Sequence, residues 1–206
     1  MEDFYLHFNK TIIEYEERGD WASATALAFS NWETDPMNIR SLLCAGTELW
    51  YGMLMVDYYM MDDYFKCLRE PSTEVLLPPY DVLESRLNTV AHFGFTHFMN
   101  HPAFNAYFGY MIQCMPYFFL EYKGDYDGWR KKGINMIKSA HALNPTNPFL
   151  KAMACSVEEQ NEYFVDSCRE LWCQVTPDEW GNSQVQQYFF RILNGDLFYP
   201  TKTGDG

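Results

Sequence analysis

Residues 87–120 read LNTVAHFGFTHFMNHPAFNAYFGYMIQCMPYFFL and contain no Asp, Glu, Lys or Arg. In a chain that is 21% charged, such a run is not expected to face water on most sides. Asn88, three histidines, Asn100, Pro102, Asn105 and Gln113 make it too polar and too interrupted for a membrane span. Leu87, Val90, Ala91, Gly94 and Phe98 share one helical face. Pro102 then opens a second helix carrying Phe104, Tyr107, Phe108, Met111 and Met115. Helices apolar nearly all round are buried ones. The run therefore predicts a central helical hairpin with the flanking segments as its cover.

Working outward, the N-terminal side is helical by the same test. Phe4, Phe8, Ile12 and Tyr15 predict a helix starting after Asp3. Gly19-Asp20 makes a turn, with Asp20 placed to cap the next helix, which carries Trp21, Ala24, Ala28 and Trp32. Asp35-Pro36 predicts a third helix, Asp35 as N-cap and Pro36 at its first position. Its apolar face is Ile39, Leu43, Gly46, Leu49, Trp50 and Met53, with a break expected at Gly52. Pro71, Pro78 and Pro79 predict a loop over 69–80. Beyond Asn147-Pro148, Phe149, Met153 and Val157 form one helical face, and Tyr163 to Val175 carry another. Thr176-Pro177 opens a last helical region with Tyr188, Phe189, Ile192 and Leu193, stopped by Asn194-Gly195. No alternating strand pattern occurs. One all-α domain over residues 1–200 follows, with a loose tail at 201–206.

The order Phe8, Tyr15, Gly19-Asp20-Trp21, Ala24, Asp35-Pro36 resembles the tetratricopeptide repeat. Lys123-Gly124-Asp125-Tyr126 followed by Ala140, Leu143 and Asn144-Pro145 is a second echo, with Trp129 where the family has a small residue. The first departs at Thr11-Ile12 and Asn31, and no fixed period links the two. The resemblance implies stacked antiparallel helical hairpins, tetratricopeptide-like but irregular, presenting an extended binding surface.

The formal charge is −13 and the pI about 4.7. That argues against nucleic acid as a direct ligand and for a basic protein partner. The six cysteines form no CxxC pair and lie among apolar residues, so packing and a reducing, cytoplasmic setting are expected. His97 and His101 are four apart, with His92 nearby, but no carboxylate accompanies them. They read as hydrogen-bonded residues near a helix end and not as a metal site. No nucleophile motif, phosphate loop or dinucleotide fingerprint is present, so neither an enzyme nor a cofactor is expected.

Asp57-Tyr58-Tyr59-Met60-Met61-Asp62-Asp63-Tyr64 interleaves acids with aromatic and methionine residues. Val56, Tyr59, Met60 and Tyr64 read as inward and Asp57 and Asp62 as outward. Acid beside tyrosine suits a surface that covers a cationic groove. A second such stretch is Glu121-Tyr122-Lys123-Gly124-Asp125-Tyr126-Asp127. Residues 1–84 hold 16 acids and 5 bases, so a basic partner should prefer that half unless folding brings Glu158, Glu159 and Glu162 alongside. Arg130-Lys131-Lys132 is a basic run expected to be a solvated face.

In size, acidity and this tyrosine-rich acidic segment the chain resembles the α-helical immunity proteins of bacterial toxin–immunity pairs, such as those of contact-dependent growth inhibition. The resemblance implies a complex with a cognate basic toxin domain, naturally a nuclease, for example an EndoU-type ribonuclease. The inhibitor would cover its active site or RNA-binding cleft. The residues it implicates are Asp57, Tyr58, Asp62, Asp63 and Tyr64, with Glu70, Glu74, Glu121, Asp125 and Asp127 secondary. The alternatives are a tetratricopeptide-like adaptor or chaperone holding a peptide, and an enzyme whose site uses the histidines.

Overall fold

The computed structural model describes residues 6–60, 75–119, 125–157 and 181–194. Among them the chain forms eight α-helices and no named strand. These are α1 Lys10–Glu17, α2 Trp21–Thr34, α3 Ile39–Met60, α4 Tyr80–His97, α5 Pro102–Cys114, α6 Tyr126–Leu143, α7 Pro148–Ser156 and α8 Gln184–Asn194. A 3-10 turn, Pro116–Phe119, follows α5. None of the described helices is long and apolar enough to cross a membrane.

The uncharged run does supply the centre. Every residue from Ala103 to Ile112 is buried, so α5 has no solvent face. Pro102 opens it, and His101 caps it by accepting the Ala103 N–H at Nδ1. The expected hairpin is modified, however. α4 packs chiefly along α3, and α5 packs chiefly along α6. α4 and α5 meet near their joining turn, where Phe104 lies against Gly94 and edge-on to Phe95. Small residues decide this partnership. A Cβ on Gly133 would come within 2.6 Å of the Gly109 carbonyl oxygen, so the two backbones approach as closely as bare glycines allow. Gly46 on α3 similarly receives the Phe108 ring.

The N-terminal helices follow the predicted faces with shifted starts. α1 begins at Lys10 because the Asn9 side chain captures the Ile12 N–H, at 2.9 Å. Gly19 turns the chain at φ 71°, and Asp20 caps α2 by accepting the Ser23 N–H. Ala24 and Ala28 are buried with Ile12 between α1 and α2.

Asp35-Pro36 does not start α3; Asp35 ends α2. Proline holds the preceding residue out of the helical region, and Asp35 has φ −143°, ψ 74°. α3 starts three residues later, its first N–H groups captured by Asn38 Oδ1. The joint recurs between α6 and α7. There Asn144 has φ −146°, ψ 75°, Pro145 follows, and Asn147 Oδ1 accepts the Leu150 N–H. Asp35-Pro36-Met37-Asn38 and Asn144-Pro145-Thr146-Asn147 are thus the same corner built twice. α3 runs through Gly52 without a break. Glycine is needed there because the Thr25 methyl and Leu83 press against it.

In the 69–80 loop, only Val75–Pro79 lies within the described residues before α4 begins at Tyr80. Leu76 there pairs with the Gly19-Asp20 turn as an isolated bridge. α8 closes the domain. Tyr188 and Phe189 pack among Trp50 of α3 and Tyr107 and Tyr110 of α5. The expected helical segment 163–175, its successor's start at Thr176-Pro177 and the 201–206 tail lie outside the described residues.

Gly133→Ala should force α5 and α6 apart and cost about 1–3 kcal/mol of stability, the usual penalty for overpacking a tight contact. Urea denaturation of the two proteins measures it. An unchanged midpoint would mean that the Gly109–Gly133 approach does not set the α5–α6 spacing.

Candidate functional site

The end of α3 places the first acid-aromatic segment. Val56 is buried and Tyr59 half-buried, as the periodicity predicts, and Tyr58 stands 51% exposed. Asp57 is half-buried because it has a partner sixty residues away. The Tyr117 hydroxyl, on the 3-10 turn, donates to Asp57 Oδ2 at 3.0 Å. Desolvation first, and the Asp57 carboxylate second, push the Tyr117 phenol well up from its ordinary range. Tyr80 and Tyr126 lie within electrostatic reach of the same hydroxyl. Tyr117 is itself 42% exposed and Tyr126 47% exposed.

Around this contact the ends of α3 and the 3-10 turn meet the starts of α4 and α6. Asp125 and Asp127 flank Tyr126 and are exposed. Asp125 occupies the N-cap position of α6 without a side-chain capping bond, its carboxylate turned against Gly128. Of the ten residues implicated from sequence, Asp57, Tyr58, Asp125 and Asp127 are described. Tyr117 bonds to the first acid-aromatic segment at Asp57 and lies within electrostatic reach of Tyr126 in the second. Asp62, Asp63, Tyr64, Glu70, Glu74 and Glu121 lie outside the described residues. Tyr117 and Tyr80 were not singled out by sequence. Tyr117 sits in the uncharged run and reads there as core.

The histidines divide. His101 is the half-buried cap of α5, whereas His97 is exposed with its ring 4.3 Å from Phe93, and His92 is exposed. Among the described residues no group of three or more His, Cys, Asp or Glu could hold a metal ion. Cys44 is buried and its thiol is pushed up to about 12 by desolvation, and Cys114 is pushed up to about 11, so both behave as packing residues. Cys67, Cys168 and Cys173 lie outside the described residues.

Sequence reasoning missed one polar cluster entirely. Glu16, at the end of α1, is buried. Its carboxylate accepts the Ser183 hydroxyl at 2.7 Å and the Gln184 N–H. Ser183 and Gln186 complete a capping box: Gln186 Oε1 accepts the Ser183 N–H, and Ser183 Oγ accepts from Val185 and Gln186. Glu48 on α3 lies beside Glu16, fully buried, and neither of its oxygens makes a hydrogen bond of ordinary geometry. Burial, then the neighbouring Glu16 charge, holds the Glu48 carboxyl well above the usual carboxylate range. Glu16 is also raised by burial, opposed by its bonds from Ser183 and Gln184. The bonds from Ser183 and Gln184 thus favour charge on Glu16, and burial beside that charge favours the proton on Glu48. The pair anchors α8 from inside the core, away from any macromolecular partner.

Comparison with family models, with curated proteins and with solved structures finds no match to this chain.

Glu48 gives a pH signature. The unfolded chain loses this proton near 4.5, the folded protein only at higher pH. Its contribution is fully present below pH 4.5 and lost as pH rises toward the folded value. Glu48→Gln removes that loss, so its stability relative to the parent should grow from pH 4 to pH 8. Urea denaturation at several pH values follows the difference, and a pH-independent one would contradict the assigned proton.

Proposed function

We propose that this chain is a binding protein of the immunity type, which neutralises a basic toxin domain by docking its acid-aromatic surface over the toxin's active site or substrate cleft. The observation that carries this reading is the Tyr117–Asp57 hydrogen bond. It ties Asp57 of the first acid-aromatic segment to the 3-10 turn, Tyr126 of the second lies within electrostatic reach of the same hydroxyl, and Tyr58, Tyr117 and Tyr126 are each exposed by more than two-fifths. Tyrosine offers a large contact area at low entropic cost and is enriched where binding energy concentrates. Asp57, Asp125 and Asp127 supply charge around it, and the net −13 supplies long-range attraction for a basic partner. Asp62, Asp63, Tyr64, Glu70, Glu74 and Glu121 belong to the same proposal through their sequence neighbourhood. The partner best suited is a nuclease domain, whose substrate-binding cleft is basic by necessity. The role proposed is occlusion, with no catalytic step, cofactor or direct nucleic-acid contact, in the cytoplasm where such a nuclease would act.

Co-expression with the neighbouring open reading frame, tagging one chain only, should recover a stoichiometric complex with a basic domain that is toxic alone. In that complex Tyr58→Ala should cost about 1–2 kcal/mol of binding, about fivefold to thirtyfold in affinity. Asp127→Lys should act mainly on the association rate, which should fall steeply with salt. Absence of a complex, or an association rate indifferent to ionic strength, would rule out this reading.

A further inference from the structure

The basic run at the start of α6 is more than a solvated face. Lys131 and Lys132 open one end of a groove of about 800 Å³ between α6 and the turn joining α4 to α5. Asn135 and Ser139 continue its floor at four-residue intervals, and Leu143 ends it. The opposite wall includes Met99, held in place by the Asn105 side-chain amide, which donates to the Met99 carbonyl at 2.7 Å. The order along the groove is therefore two lysines, then an amide and a hydroxyl, then exposed apolar side chains: Met99 is 42% and Leu143 54% exposed.

The charged end is preorganised. Lys132 Nζ lies 3.8 Å from the centroid of the Phe95 ring and 4.1 Å from that of Trp129. Two aromatic faces fix and partly desolvate the ammonium without consuming its hydrogen-bond donors. Desolvation also lowers the Lys132 pKa from its ordinary value. No carboxylate among the described residues forms a salt bridge with Lys131 or Lys132. In a protein of net charge −13, two lysines lining a groove with no salt bridge to a carboxylate among the described residues are a local reversal of sign.

We infer that this groove is a second binding site, for an acidic peptide segment lying in extended form along α6. Its carboxylates would meet Lys131 and Lys132, its backbone the Asn135 amide and Ser139 hydroxyl, and an apolar side chain Met99 and Leu143. Length selects a peptide over a compact anion. Lys131 to Leu143 spans about 18 Å of helix at 1.5 Å per residue. That accommodates about five or six extended residues. A phosphate or a lone carboxylate would use only the lysine end. The inference is independent of the acid-aromatic surface, because none of that surface's residues lines the groove.

The test is fluorescence polarisation with the full chain and a fluorescein-labelled hexapeptide, Glu-Glu-Ser-Gly-Leu-Phe, together with the same residues in reverse order. Both are compared with versions carrying Gln for Glu. One acidic order should bind at least tenfold more tightly than its Gln version. Ser139→Trp, which fills the middle of the groove from an exposed position, should weaken that binding at least tenfold. Lys131→Glu should do the same, whereas Lys138→Gln, outside the groove, should leave it unchanged. Helical circular dichroism establishes that each variant is folded. Failure of both acidic peptides to bind, equal binding of acidic and Gln peptides, or undiminished binding by Ser139→Trp would overturn the proposal. Displacement of the peptide by millimolar inorganic phosphate together with indifference to Ser139→Trp would identify a simple anion site instead.

Discussion

α5 imposes the condition that the rest of the domain meets. From Ala103 to Ile112 it exposes nothing, so it must be enclosed on every side before it gains from burial at all. Phe104, Tyr107 and Phe108 each contribute about 1.5–3 kcal/mol when fully removed from water. That gain exists only if α3, α6, α7, α8 and the 3-10 turn are all in place. Enclosure in turn requires neighbours that approach closely, which is why α5 and α6 touch at glycine backbones and why α3 offers Gly46 to the Phe108 ring. Asn105 is the exception that fits the rule, since its amide is satisfied by the Met99 carbonyl. With the centre closed to charge, most of the described acids and bases lie at the periphery, and Glu16 and Glu48 are the buried exceptions.

Closing the last side falls to α8, and this is where ionised chemistry enters the core. The N–H groups opening a helix are unsatisfied and carry a partial positive charge. Glu16 meets them from α1 with one carboxylate, while Ser183 and Gln186 satisfy most of the remainder. That positive end explains which member of the acidic pair stays charged. Glu16 faces hydrogen-bond donors, whereas Glu48 is fully buried beside the Glu16 charge.

These features were unequally legible. Absence of charge over 87–120 was enough to locate the buried helices, because burial of a whole helix leaves a compositional mark. Which helices pair was not legible, because adjacency in sequence favours α4 with α5, whereas contact depends on small residues brought face to face from distant positions, Gly109 and Gly133. Asp35-Pro36 misled by one corner. Proline is equally at home just after a helix and at the first position of the next, and only Asn38, three residues on, decides between them. Glu16 and Ser183 are 167 residues apart, and no local pattern connects them. The capping spacing Ser183–Gln186 was visible, and Glu48 interrupted an apolar helix. Together they could have prompted a search for a buried acid, but not for its partner.

Folding physics also discriminates between surface residues. Asp125 and Asp127 stand at the start of α6, where a helix favours negative charge whatever its function. Lys131 and Lys132 follow within two turns, far from the C-terminal end where lysines would be favoured on the same grounds. The dipole thus accounts for the acids and not for the lysines, of which Lys132 is held between the Phe95 and Trp129 rings. Likewise the core accounts for Val56, but not for Tyr58, Tyr117 and Tyr126, which leave much of their rings in water. The Asp57–Tyr117 bond orders that surface at a position too exposed for one hydrogen bond to add much stability. The residues that carry the functional argument are therefore the ones the fold does not require, and of the sequence-implicated acids Asp57 meets that criterion most clearly.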